Sequence, residues 1–350
     1  MRLRKRYKLL IASICVSTPI LVTAYFISVI LLVCLLVLNG LLILFVLSAT
    51  VLSKLVMMTN WYKNNFIYTK QFVTSLNFRK NTQRNYEIVN VGSNSARFAF
   101  FYEDIIGQNW STGEQGLDKD MEILRYFYSL VKKDGIVLLP VCAFSSVAGC
   151  LQRQLPYTAK FAAILDRRQI NTMQRGRKSY IWMKYPLDWK SLCRLFIHDV
   201  QPDNRLSISE QMMQPLELNT DALKWMDGWK KDFNIKDFNA PLSPELQEGR
   251  KISIKNLQNM IDFCIERNLK PVLIIPPMTK YLSCLFTETI RETYIYSFIR
   301  EANVKNIPFL DYMDDERFSN PSLYFNSFFL NLRGRKLFTK QVLKDLNITK

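Results

Sequence analysis

Between Leu9 and Ser53 the chain carries no charged side chain, an uninterrupted run of 45 residues. A membrane-spanning helix needs only about 20 consecutive apolar residues, so the run has room for at least one. A cleaved signal peptide has a much shorter apolar core followed by a small-residue cleavage site. The run therefore reads as an anchor. Ahead of it Arg2, Arg4, Lys5, Arg6 and Lys8 place five positive charges within eight residues, the flank expected on the cytoplasmic side.

As a single helix the run would extend about 68 Å, roughly twice the hydrocarbon core of a bilayer. Two helices of about 21 residues fit if a tight turn joins them. The turn candidates are Ser17-Thr18-Pro19 and Asn39-Gly40, and the basic flank Lys54, Lys63 and Lys70 favours a hairpin. One span and two spans both stand at this level. The organisation expected is an anchor over 1–57, a connector over 58–84 and an α/β domain over 85–346. A basic insertion interrupts that domain at about 145–240.

The charge is concentrated. Of the net +17, residues 1–8 supply +5 and residues 153–194 supply +8, with ten Lys/Arg against Asp166 and Asp188. Tyr157, Phe161, Tyr180, Trp182, Tyr185 and Trp189 are interleaved with those cations. Cations among aromatic rings suit an anionic headgroup surface or a phosphorylated glycan lipid. The same composition suits nucleic acid, which a membrane anchor argues against, and it also suits an ordinary solvated surface. Cys142, Cys150, Cys193, Cys264 and Cys284 have spacings of neither a metal site nor a disulfide framework. No zinc or calcium motif and no Gly-rich phosphate loop is present. No metal and no cofactor is implied.

Along the folded part, Glu87–Val91 reads as a strand running into the turn Gly92-Ser93-Asn94-Ser95. A helix is expected over 118–132, broken by Gly135, and a buried strand over 136–140. Short helices are expected at 157–167, 186–197 and 220–229. Ser243 followed by Pro-Glu-Leu predicts the start of a long helix reaching Arg267 and ended by Asn268. A strand at 271–277, a helix at 286–302, a strand at 306–311 and a closing helix at 333–346 complete the pattern. Strands alternating with helices predict a mostly parallel sheet flanked by helices on both faces, an α/β, flavodoxin-like three-layer arrangement.

Four segments in this order carry a resemblance: Val89–Ser95, Gly107–Gly113, Lys270–Pro277 and Phe329–Thr339. Together the chain resembles the SGNH (GDSL-type) hydrolases, and within them the membrane-anchored DltD-like and polysaccharide-cluster branch. The likeness covers about 87–140 and 243–346. It implies an SGNH-like fold, a place in bacterial envelope polysaccharide assembly or modification such as O-acetylation, and a large domain on the outward, periplasmic side of the inner membrane.

The resemblance also says where catalysis would sit, and the residues there are wrong for it. The nucleophilic serine corresponds to Asn94, whose amide nitrogen has a delocalised lone pair. The Asp-x-x-His base corresponds to Asn326 and Phe329, neither of which accepts a proton at neutral pH. The oxyanion-hole asparagine has no counterpart in Val141-Cys142-Ala143-Phe144-Ser145. Ser93 and Ser95 flank Asn94 and are the catalytic candidates, and a serine needs a base within about 3 Å. The base candidates are His198, the single histidine, and the acidic group Asp311, Asp314, Asp315 and Glu316. A lone histidine ending an apolar helix is more often structural, and an acidic group is more often a solvated loop.

Candidate glycan-binding residues are Asn94, Gln108, Asn109, Trp110, Asn326 and Asn331, where hydrogen-bonding groups stand beside an aromatic ring; Gln108–Thr112 suits a packed turn equally. Three functions follow: a pseudoenzyme that binds a glycan, a lipid-linked glycan or an assembly partner; an active O-acyltransferase or esterase with a relocated serine; and a membrane-associated scaffold with a protein partner. Membrane lipid is a partner in all three, and nucleic acid in none.

Overall fold

The computed structural model describes residues 11–21, 29–58, 83–111, 116–151 and 213–348. The chain divides into two compact units, Met1–Lys63 and Asn64–Lys350. His198, the basic segment 153–194 and the helices expected at 157–167 and 186–197 lie outside the described residues, as does the connector from residue 59 to 82.

In the first unit residues 11–21 form helix α1, and α2 runs unbroken for 30 residues over Val29–Met58. Both turn candidates are overturned. Ser17 and Thr18 lie inside α1, where their hydroxyls donate back to the Ile14 carbonyl. Asn39 and Gly40 lie inside α2, where the Asn39 amide donates to the Leu35 carbonyl at 2.9 Å. A side chain that bonds one turn back satisfies itself within the helix, so a polar residue there does not force a break. The side chains of α2 are described without a gap only over 33–45, and no described stretch is by itself long and apolar enough to cross a membrane.

The second unit is an α/β layer structure around a five-stranded sheet whose pairings are all parallel. Its strands are β1 Tyr86–Asn90, β2 Gly107–Asn109, β3 Val131–Pro140, β4 Lys270–Ile275 and β5 Phe309–Asp311. Their spatial order is β2-β1-β3-β4-β5, one of the two common doubly wound orders. The helices are α3 Asn94–Arg97, α4 Leu117–Phe127, α5 Pro215–Asp232, α6 Pro244–Glu266 and the short α7 Lys280–Ser283. A continuous helical stretch α8 follows over 288–302, and α9 Leu332–Asp345 closes the domain.

Alternation along the strands builds two cores. Val89, Val137, Leu139, Leu273 and Ile275 face a large cluster shared with α4, α5, α6 and α8. Ile88, Leu138, Val272 and Ile274 face a second cluster with Phe100, Tyr102, Phe338 and Val342, in which α9 packs. Strands buried on both faces read as continuous apolar runs, which is why β3 and β4 were visible in the sequence.

The differences from the expected elements have local causes. Gly135 does not break a helix; α4 ends at Phe127, a 3-10 turn follows at Tyr128–Leu130, and β3 already begins at Val131. Asp134 adopts φ +60° and the β1–β3 register shifts between Tyr86 and Ile88, so Gly135 sits in an irregular strand start. Strand β2 has three residues and no alternation to betray it. Ser243 does cap α6, accepting from the Leu246 amide at 3.3 Å, and Asn268 ends it at φ +55°. Residues 213–240, read as part of an insertion, belong to the main core: Leu218, Ala222, Met226 and Trp229 are buried, and the Phe144 ring lies 5.1 Å from those of both Trp229 and Phe238.

Candidate functional site

In a sheet of this order the chain leaves β1 towards β2 on one side and returns to β3 on the other. The carboxyl ends of β1 and β3 therefore frame a crevice, the place where open α/β sheets hold ligands. Two segments meet there: Val91–Ser95 after β1 and Val141–Ser145 after β3.

The first segment turns sharply at Gly92, which adopts φ +119°. A Cβ at this position would stand 2.7 Å from the Cβ of Ala96, so both the backbone angle and the close approach require glycine. Its amide donates to Asp120 Oδ1 at 2.8 Å. Asp120 is buried on α4 and fixes the turn from behind. Beneath it lies a buried polar network. Asn90 Nδ2 donates to Asn109 Oδ1 at 2.9 Å and Ser111 Oγ at 2.8 Å, and Asn90 Oδ1 accepts from the Tyr102 hydroxyl at 3.0 Å. Asn109 Nδ2 in turn points at the carbonyls of Ala96, Arg97 and Phe100. Paired groups of this kind hold the strand ends in one arrangement.

Ser93 stands at the position before α3 without a side-chain capping bond, and Asn94 begins that helix. The Ser95 hydroxyl is in hydrogen-bond contact with the Cys142 thiol, and Ser93 Oγ lies 3.6 Å from the same sulfur. The Cys142 amide donates to Ser145 Oγ at 3.0 Å. Burial pushes the Cys142 thiol up, against hydrogen bonds from Ser95 and Ser93 that lower it, and the Asp120 charge adds to the rise. A thiol held protonated is a weak nucleophile and a poor proton acceptor. At about pH 8, Cys142 is expected to react with iodoacetamide on the order of tenfold or more slowly than exposed Cys284; peptide mass spectrometry of a time course reads both rates.

The C-terminal loop comes to this crevice, but it brings no base. Asn326 Oδ1 accepts from the Phe328 and Phe329 amides at 3.0 and 2.7 Å, a turn-forming role. Phe329 is buried, its ring centroid 5.1 Å from Phe98, 4.8 Å from Phe328 and 5.2 Å from Trp225. Phe98 is the residue directly after α3, so the aromatic cluster stands beside the serine turn. Ser327 donates from both its amide and its hydroxyl to Asp221 Oδ2, at 3.0 and 2.5 Å, tying the loop to α5. A narrow pocket lined by Ser95, Phe98, Cys142, Pro277, Met278 and Phe328 remains, with about 10 Å³ of inner space, room for roughly one water.

The acidic group is engaged elsewhere. Asp311 accepts from the Tyr296 hydroxyl at 2.8 Å, Asp314 pairs with Arg291, Asp315 with Arg317, and Glu316 with Lys280 at 2.7 Å. Burial works to raise the Asp314 carboxyl, yet hydrogen bonding and charge from Arg291 carry it below its usual range; the Arg317 bonds do the same for Asp315. Asp314, Asp315 and Glu316 are thus ion-paired carboxylates following β5. Among the described residues no group of His, Cys, Asp and Glu is placed to hold a metal ion.

Of the glycan candidates, Asn94 stands at the crevice. Trp110 and Asn109 are fully buried, Trp110 between Tyr86 at 6.3 Å and Phe127 at 5.7 Å, so neither presents a surface to a sugar. Gln108 is buried beside them in β2. Asn331 is the N-cap of α9, accepting from the Gly334 amide at 3.0 Å and donating to the Ser322 carbonyl at 2.7 Å. Gln108, Asn109 and Trp110 are buried at the sheet edge, with Asn109 turned towards the 96–100 carbonyls and Trp110 packed on Phe127 of α4. Cys142, Asp120 and Asp221 were not singled out as site residues. Cys142 had a signal, its place two residues beyond an apolar strand. Asp120 and Asp221 looked like ordinary helix-surface acids. Comparison with family models finds no match, and comparison with curated proteins finds none either.

Proposed function

We propose that the chain is a membrane-anchored SGNH-like protein that binds a glycan, a lipid-linked glycan or an assembly partner in bacterial envelope polysaccharide assembly or modification, without hydrolysing it. The observation that carries this reading is the pairing at the crevice: the Ser95 hydroxyl meets the Cys142 thiol, which burial pushes up, and the nearby C-terminal loop packs the Phe329 ring on Phe98. Acyl transfer needs a proton acceptor beside the attacking oxygen, and among the described residues none is hydrogen-bonded to Ser93 or Ser95. The strand order, the glycine turn and the approach of the C-terminal loop support an SGNH-like scaffold. The uncharged run of 45 residues, helical over Val29–Ser53, supports an anchor, and the inner membrane and periplasmic side are what the resemblance implies.

The test uses the full chain in lipid nanodiscs with a fluorophosphonate probe. Neither Ser93 nor Ser95 is expected to be labelled, and acetylated sugars are expected to remain intact. Labelling that disappears in Ser95→Ala or Ser93→Ala would establish the alternative, an esterase or O-acyltransferase with a relocated serine. Binding of a lipid-linked glycan by the same preparation, retained in Ser95→Ala, is the positive result expected.

A further inference from the structure

Helix α9 differs from the other long helices of the domain in the charge it shows to solvent. On α6 the exposed charges are of both signs, Glu245, Glu248, Lys251, Lys255 and Glu266, and on α5 they are Glu217, Lys224, Asp227, Lys231 and Asp232. On α9 one exposed face reads Arg333, Lys336, Leu337, Lys340 and Lys344, with exposed Asp345 to one side of it. At 3.6 residues per turn these five positions fall within an arc of about 100°, opposite Phe338 and Val342 in the core. The stripe is about 16 Å long.

Little on the protein answers that charge. Lys336 pairs with Glu103 at 2.7 Å, while Arg333, Lys340 and Lys344 have no ion-pair partner among the described residues. The one acid of the helix, Asp345, points off the stripe, accepting from the Tyr312 hydroxyl at 2.8 Å and lying 3.4 Å from Arg317. Arg333 stands in the first turn, where the helix dipole disfavours a cation. Self-repulsion along the stripe and an unfavourable dipole position both cost stability, and both are relieved by an external anion. At the margin of the stripe, beside Arg333, Lys340 and Lys344, Leu337 is 45% exposed. A stripe of cations with an exposed aliphatic side chain at its edge suits an anionic headgroup surface, its charges among the phosphates.

We infer that the outer face of α9 docks on an anionic phospholipid surface, in addition to the anchor and independently of the crevice. The inference rests on the membrane-bound reading above. The experiment reconstitutes the full chain in vesicles of phosphatidylcholine alone or mixed with phosphatidylglycerol, and follows acetylation of single lysines by mass spectrometry. Lys340 and Lys344 are expected to react about fivefold more slowly in the anionic vesicles, from a contribution on the order of 1 kcal/mol per cation, and to recover at high salt. Lys251 and Lys255 on α6 are expected to be unchanged. In Arg333→Glu/Lys340→Glu the protection of Lys344 is expected to vanish while the α6 lysines keep their rates, which also reports that the fold is intact.

Equal rates in both vesicles would overturn the inference, as would protection of the α6 lysines to the same degree. Protection by an added acidic protein but not by phosphatidylglycerol would overturn it in favour of a protein partner. Alkaline carbonate separates the two levels. A chain retained in the vesicles with unprotected lysines refutes docking alone, whereas a chain stripped from them refutes the anchor and the docking with it.

Discussion

Trp110→Ala is expected to lower the unfolding free energy of the domain by about 3–5 kcal/mol, the usual loss for truncating a buried aromatic ring. The indole is fully buried, edge-on to Tyr86 and tilted against Phe127, in the same cluster as Leu117, Ile123 and Leu124. Alanine would remove the ring from contacts made by β1, α4 and the end of β2, leaving a cavity that a strand edge cannot close. Trp110→Phe keeps most of the apolar area, and because the indole nitrogen has no hydrogen-bond partner among the described residues none of their bonds is lost; its cost is expected to stay below about 1.5 kcal/mol. Urea unfolding of the full chain in detergent, followed by far-UV circular dichroism, measures both. An unchanged midpoint for Trp110→Ala would return the ring to the surface and restore it as a sugar-stacking platform.

Gly92→Ala is expected to cost about 2–4 kcal/mol and to disorder the serine turn, adding strain at a positive φ to a steric overlap with Ala96. The overlap is with the first turn of α3, so relief requires α3 to move, and α3 carries Ser95 to its contact with Cys142. The amide that donates to Asp120 would shift with it. A thermal unfolding scan reads the stability, and the alkylation rate of Cys142 reads the turn: release of Ser95 and opening of the crevice should make the thiol react faster. A variant as stable as the parent, with unchanged thiol reactivity, would show that the turn tolerates a side chain and that its geometry is not fixed by glycine.

Much of the fold was legible because parallel strands announce themselves. Ile136–Pro140 and Pro271–Ile275 are buried on both faces, so their sequences are apolar without interruption. The Ser243-Pro244 start of α6 was equally visible, since a cap and a first-turn proline act locally. Strand β2 was missed because three residues paired on one side need no pattern of their own. The buried status of Gln108, Asn109 and Trp110 was missed for a related reason: hydrogen-bonding side chains beside an aromatic ring look alike whether they face a ligand or a network. Only the partners Asn90, Tyr102 and Ser111, drawn from different segments, distinguish the two.

The sequence by itself determined what local chemistry can determine: an uncharged run of membrane-spanning length, alternating strands and helices, a glycine turn after the first strand, and the absence of serine and histidine at the positions that the resemblance marks. The tertiary structure decided what those residues face. It set a thiol against Ser95, a carboxylate behind Gly92, an aromatic cluster around Phe329 and an ion pair on each of Asp314, Asp315 and Glu316. The division follows from range. Helix caps, strand burial and turn angles are set by neighbours a few residues away, whereas the reactivity of a side chain depends on groups brought to within hydrogen-bond distance from strands and helices tens or hundreds of residues apart.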